Sequence, residues 1–373
     1  MRCAPPRYSC RAPLSPTARA RCHQVSDVLR TLAMLNGTYA AVCGVIYGNA
    51  ADYFRYASVA VEVADRTVDS GLQCASYVYL TYACYWTGRG RQGELLIEKL
   101  RLLAGDNPLL GTEVTAFSPL LSAQFIGQRI EGFTRDALSV LRDCPGHRQL
   151  AVDNGFPDAE IWWLWLESEP RCALGGVTGA PLSAPTTITR VETLGLGNEV
   201  IAILIRCYTF AVNGAWEDLL ATASEGLQLS RDAASFRAVD AQFFAHVARA
   251  TLEIGQFENA RDVAEAGVRL MRESKCVSHP QGHAMLARAQ IALRESAVAI
   301  AATLDEYASL LAQMEFHLFE GELHELRAQL ADRECHRAEQ MASIALARDC
   351  YARFGMATHV ARIDRVTGLR ASH

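Results

Sequence analysis

The stretch FFAHVARATLEIGQFENARDVAEAGVRLM, residues 243–271, decides the fold. Its first ten residues are apolar and alanine-rich, which suits one helix of a packed pair. Glu253-Ile254-Gly255-Gln256 closes that helix, with Gly255 supplying the left-handed residue that commonly follows a helix C-terminus. Phe257 packs back into the turn. Ala260, Ala264 and Gly267 then fall at helical spacing on the next helix, where small residues let two helix axes approach closely.

The same arrangement recurs near Gly48, Gly88, Gln128, Gly214, Gly255, Glu295 and Arg333, in steps of 40, 40, 86, 41, 40 and 38 residues. After Gly48 the packing places are Tyr53, Ala57 and Ala60. After Gly88 they are Gly93, Ile97 and Leu100, and after Gln128 Phe133, Ala137 and Val140. Leu219, Ala223 and Gly226 follow Gly214; Ile300, Leu304 and Tyr307 follow Glu295; Ala338, Ala342 and Ala345 follow Arg333. A period near 40 residues marks an array of helix pairs, each unable to bury its apolar face alone and therefore stacked on its neighbours. With no alternating strand pattern competing, the sequence predicts an all-α superhelix of about seven to eight antiparallel pairs, with first helices lining the inner surface.

Working outward, the pattern predicts helix pairs at 27–48 with 50–68, 72–86 with 93–103, and 111–125 with 131–141. Pro119 is expected to kink the third pair's first helix, and Cys144-Pro145-Gly146 to end its second. Residues 156–167 open a fourth pair, but 173–189 hold Gly, Pro, Ser and Thr without helical periodicity, which accounts for the double step. Pairs resume at 197–210 with 217–229, 232–253 with 258–272, 281–293 with 298–314, and 316–331 with 337–354; a closing helix spans 357–366. The expected organisation is a disordered lead at 1–23, repeats at 24–145, a degenerate repeat with an irregular loop at 146–195, and repeats with a capping helix at 196–369.

Composition agrees with a packed helical array. Of 373 residues, 50% are hydrophobic and 21% charged, enough to bury a sizeable core. A net charge of -5, with arginines spread along the chain, gives no clustered basic surface for nucleic acid. Twelve cysteines form no C-x-x-C and no zinc spacing; most sit in apolar helical stretches as small hydrophobes, implying a reducing cytoplasm. The longest apolar candidate, 200–210, is interrupted by Arg206, so no membrane span is expected. The first 22 residues lack the apolar run of a secretory signal.

Signatures of chemistry are missing. There is no G-x-x-x-x-G-K-[ST], G-x-S-x-G or H-E-x-x-H. Gly88-Arg89-Gly90-Arg91-Gln92-Gly93 fits a bare G-x-G-x-x-G, but a helical stretch precedes it and it reads as a helix–helix turn. His279, His283 and His324 read as surface histidines. No catalytic residue, cofactor site or metal site is therefore assigned. Aromatics crowd two helices: Tyr77, Tyr79, Tyr82, Tyr85 and Trp86 on one, Trp162, Trp163 and Trp165 on another. Helical spacing places Tyr79, Tyr82 and Trp86 on one face and Trp162 with Trp165 on another. They serve either packing between repeats or a binding groove.

The pattern resembles tetratricopeptide-type repeats, making the expected fold a tetratricopeptide-like α-solenoid. More narrowly it is similar to the C-terminal region of large bacterial regulators that place a class III adenylate/guanylate cyclase domain and a P-loop ATPase module ahead of such repeats. The stretches that carry this are Leu286-Ala287-Arg288-Ala289-Gln290, the run from Glu322 to Ala331, and the run from Tyr351 to Ile363; Thr115-Ala116-Phe117-Ser118-Pro119 and Gly214-Ala215-Trp216-Glu217 add to it. The likeness covers roughly residues 32–369, and the cyclase and nucleotide-binding modules are absent from this sequence. It implies a cytoplasmic, non-enzymatic interaction or sensor module that binds a protein or peptide, with no nucleic-acid or membrane partner. Alternatives are a fragment or subunit of an adenylate cyclase-type enzyme, or the repeat domain of a LuxR-type transcription regulator. Groove-facing candidates on first helices are Tyr79, Asn198, Arg206, His246 and Arg249.

Overall fold

The computed structural model describes residues 16–175, 199–232 and 237–367. Among these the chain is all-α, a tetratricopeptide-like solenoid without strands. The helices are α1 (Pro16–Ala41), α2 (Ala50–Ala64), α3 (Ser70–Trp86), α4 (Gly90–Ala104), a single turn α5 (Thr112–Thr115), α6 (Pro119–Thr134), α7 (Ala137–Asp153) and α8 (Pro157–Ala173). They continue as α9 (Glu199–Asn213), α10 (Trp216–Asp232), α11 (Asp240–Glu253), α12 (Phe257–Ser274), α13 (Gln281–Ala292), α14 (Ala297–Met314), α15 (Glu320–Arg333), α16 (Arg337–Arg353) and α17 (Ala357–Thr367). Residues 176–189 of the expected irregular loop lie outside the described residues, as do residues 1–15.

The beat is more regular than the sequence suggested. Each second helix starts two residues after a turn position, at 48, 88, 135, 214, 255, 295 and 335. Gly175, at φ +74°, closes α8 in the same manner, so the double step contains a turn. Two positions move. Gln128 lies inside α6, and the turn falls at Arg135-Asp136, because α5 and its flanking loops lengthen the link before α6. The last turn is at Cys335, φ +60°, rather than Arg333. Ile344, Ala347 and Tyr351 therefore face inward, while Ala338, Ala342 and Ala345 are exposed.

Local chemistry explains the helix starts. Asn49, Asp69, Ser118, Asp136 and Ser296 each accept a hydrogen bond from the backbone N–H three residues on, a cap that contributes about 1 kcal/mol. Pro119 stands in the first turn of α6 behind the Ser118 cap, so it starts the helix and does not kink it. Pro145 does not end α7 either; the helix runs through it to Asp153, buried on Ala137, Val140, Leu141, Cys144 and Ala151. Gly88-Arg89-Gly90 is the helix–helix turn expected, Gly88 at φ +74°.

First helices touch first helices from α1 through α3, α6, α8, α9, α11 and α13 to α15, and one continuous apolar core runs along them. The coil winds tightly enough to meet itself. Val277 N–H donates to the Trp86 carbonyl at 2.8 Å and Gln313 Nε2 to the Thr87 carbonyl at 3.2 Å. Phe316 packs on Tyr85 and Phe133, with centroids 6.3 and 4.8 Å away. Tyr85 covers His279 across this closure and Tyr307 with Glu306 of α14 covers His283, so both are 1% exposed, correcting their reading as surface residues. His324 is half-buried.

Among the described residues one stretch, Ser26–Ile46, is long and apolar enough by length and composition to cross a membrane, a stretch that the sequence reading did not single out beside 200–210. Here Ala33 and Ala40 are buried in the array and Arg30 pairs with Asp69. Six of the described cysteines are buried, and burial raises the thiol pKa of Cys74 to about 11 and of Cys84 and Cys144 to about 12.

Close helix approach at the small residues sets a testable contrast. A Cβ on Gly267 would stand 2.8 Å from Phe244 Cβ, whereas one on Gly146 meets nothing within 4 Å. Urea unfolding is expected to show Gly267→Ala losing about 1–3 kcal/mol and Gly146→Ala gaining about 0.5–1 kcal/mol.

Candidate functional site

Among the described residues, a polar and an aromatic cavity lie against the inner faces of the first helices. The larger polar one, ≈ 220 Å³, is lined from α8 (Glu169, Cys172), α9 (Tyr208), α11 (Gln242, Ala245, His246, Arg249), α13 (Gln281, Met285, Arg288), α15 (Glu322, Glu325), α16 (Tyr351) and α17 (His359, Arg362). Leu318, Phe319 and Met356 supply apolar wall. Gly175 closes the ring: a Cβ there would stand 3.0 Å from Thr358 Oγ1 and 3.2 Å from His359 Nε2.

Its charges are arranged in pairs, with one exception. Arg288 Nη2 donates to Glu322 at 2.7 Å, and Arg362 Nη2 to Glu325 at 2.8 Å. The Tyr351 hydroxyl donates to Glu325 at 2.8 Å. Arg249 has no carboxylate partner among the described residues. Its Nη1 faces the Cys172 thiol at 3.6 Å, and its guanidinium lies 5.6 Å from the centre of the Trp216 ring. His246, one turn before Arg249, packs edge-on against Tyr208 at 4.7 Å. Burial, reinforced by the Arg249 charge, lowers its pKa to about 3, so the ring is neutral at physiological pH.

Behind this cavity lies a buried ion pair. Arg129 of α6 is 1% exposed; its Nε donates to the Tyr85 hydroxyl at 2.6 Å and its Nη2 to Glu169 of α8. Its guanidinium lies 4.2 Å from the centre of the Trp165 ring. Burial works against the Arg129 charge, but Glu169, Tyr85 and Tyr208 outweigh it and hold the pKa above the ordinary value. Burial also pushes the Glu169 carboxyl up, opposed by Arg129 and the Tyr208 hydroxyl.

The sequence candidates separate in space. His246 and Arg249 line the polar cavity together. Tyr79 lines the second, aromatic cavity. Arg206 reaches Glu225 of α10 at 3.7 Å, towards its own second helix. Asn198 lies outside the described residues. Sequence reasoning missed Arg288, Glu322, Glu325, Tyr351, His359 and Arg362. All six fall in the three C-terminal stretches that carried the family resemblance, and that was the available signal. Of the aromatics, Trp163 is fully buried and stacks on His147 at 4.4 Å, a packing role. Among the described residues no cluster of His, Cys, Asp and Glu is placed to hold a metal ion.

No family model and no curated protein matches the chain. Among solved structures it is similar to a Rap protein complexed with competence and sporulation factor, with a TM-score of 0.54 and 10% sequence identity, covering 89% of this chain and 96% of that one. At that identity the likeness establishes the helical-repeat fold and nothing finer.

The buried histidine gives a pH signature. Its folded pKa is depressed, so the stability it contributes is complete above the unfolded value near 6.5 and is lost as pH falls towards 3. Chemical unfolding between pH 6 and 4.5 is expected to show His246→Gln flattening the acid limb by about 1.4 kcal/mol per pH unit; an unchanged slope would show the imidazole protonating freely in the fold.

Proposed function

We propose that the chain is a non-catalytic binding module that seats a short acidic peptide segment in the polar cavity. Arg249 carries the proposal. It is a half-buried guanidinium at the cavity wall without a carboxylate partner among the described residues, while Arg288 and Arg362 are neutralised by Glu322 and Glu325. An Asp, Glu or terminal carboxylate of a ligand would complete that pairing with a charge-assisted hydrogen bond. Met285, Leu318, Phe319 and Met356 offer apolar surface to a neighbouring side chain. That a solved protein of the same fold binds a factor supports this reading.

The resemblance to cyclase–ATPase regulators adds a context in which such a module, in the cytoplasm, would gate an attached enzyme. The stretches behind it form parts of α13, α15, α16 and α17 around the polar cavity. An in-frame P-loop and cyclase signature in the DNA upstream of Met1 would support that context, and their absence would remove it.

A displayed library of random heptapeptides, panned on the full chain, tests the binding proposal. The expected outcome is enrichment of Asp- or Glu-containing peptides whose affinity falls with added salt and drops at least about tenfold in Arg249→Gln, from the loss of a charged hydrogen bond, with thermal unfolding unchanged. No enrichment on folded protein, or equal binding by Arg249→Gln, would reject it.

A further inference from the structure

The second cavity, ≈ 200 Å³, lies between α1, α2, α3, α6 and α8, apart from the polar cavity. Its walls are rings. Tyr82 meets Trp162 at 5.7 Å and Trp86 at 6.3 Å; Phe117 meets Tyr79 at 6.1 Å and Trp162 at 6.2 Å; Phe125 packs on Trp162 and Trp165 at 5.6 and 5.9 Å. Tyr79, Tyr82, Phe117 and Trp162 are only half-buried and form the mouth, with Tyr53, Tyr85, Trp86 and Arg129 deeper. The space exceeds the roughly 150 Å³ apolar cavity that takes up benzene in an engineered protein.

Four buried polar atoms on this lining have no hydrogen-bond partner among the described residues: Arg129 Nη1, Trp162 Nε1, Trp165 Nε1 and the Tyr82 hydroxyl. All four can donate, and only the hydroxyl can also accept. A buried donor without a partner is unfavourable, so an occupant supplying an acceptor recovers what these groups lost on leaving water. A full negative charge fits poorly. Glu169 already neutralises Arg129, and a second carboxylate would surrender its hydration to face an occupied partner.

We propose that this cavity binds a flat, uncharged, two-ring aromatic molecule bearing a carbonyl acceptor. The rings stack or meet edge-on with Tyr79, Tyr82, Phe117 and Trp162, and the carbonyl accepts from the Trp165 or Trp162 N–H or from Arg129. The site is independent of the peptide proposed for the polar cavity.

Calorimetric titration of the full chain with three probes tests this: coumarin, which has the shape and the carbonyl; naphthalene, which has the shape alone; and 1-naphthoate, which adds a charge. Coumarin is expected to bind saturably with one-to-one stoichiometry, and more tightly than either of the others. Trp165→Phe keeps a ring and removes the N–H, and should weaken coumarin roughly three- to tenfold while leaving naphthalene unchanged. Trp162→Phe, at the mouth, provides the same comparison should Trp165→Phe fail to fold. Val45→Trp, which sets an indole on the half-buried lining residue Val45 and so fills the cavity, should abolish binding of both. Absence of saturable coumarin binding to folded protein, naphthalene or 1-naphthoate binding at least as tightly as coumarin, or two Trp→Phe variants that leave the coumarin-to-naphthalene ratio intact would each overturn it.

Discussion

The ion pair between Arg129 and Glu169 is the constraint on which the rest of the structure depends. It joins α6 to α8 at the centre of the coil, and it is the wall between the two cavities: Arg129 lines the aromatic one and Glu169 the polar one. Tyr85 on α3 and Tyr208 on α9 bracket it, so side chains from four successive first helices converge on one buried charge pair. Taking two charges out of water is costly, and the attraction offsets that cost only when geometry and additional hydrogen bonds are good. The Tyr85 hydroxyl and the Trp165 face provide such support. Such a pair specifies how the helices must meet more than it adds stability over an apolar filling.

Closure of the coil follows from packing around this centre. Phe316 rests on Tyr85 and Phe133, which themselves flank Arg129, and the 275–280 link docks through Val277 on the end of α3. An array that contacts itself across several repeats encloses cavities where an open array would present a groove. The cavity lined from α8 to α17 is ringed largely by charged residues, and the one lined from α1 to α8 by aromatic rings, according to which residues stand on those inner faces.

Much of the architecture was legible in the sequence because a repeat imprints a local pattern. Gly48, Gly88, Gly214 and Gly255 each mark a turn in the left-handed region, and Ala57, Ala264 and Leu304 are buried at the spacing that their helices require. Misplacements came where a turn lacks glycine: Arg135-Asp136 and Cys335 carry no such mark, and Pro119 looks the same to a periodicity argument whether it starts a helix or interrupts one. Closure was not legible. Nothing near His279 announces that Gln242, 37 residues earlier, will hydrogen-bond to it, or that Tyr85 will cover it. His246 and Arg249 could be placed on an inner face from sequence because they stand in a well-marked repeat, whereas the place of Arg288 and Arg362 on the same cavity depends on how distant repeats curve towards one another, which no single repeat encodes.

The most direct measurement of the central claim is a double-mutant cycle on Arg129→Met and Glu169→Leu, read by urea unfolding of the full chain. If the pair anchors the coil, each single change leaves an uncompensated buried charge and costs about 3–5 kcal/mol, and the double variant recovers most of that loss. Single changes that each cost under about 1 kcal/mol, or losses that simply add in the double variant, would contradict it.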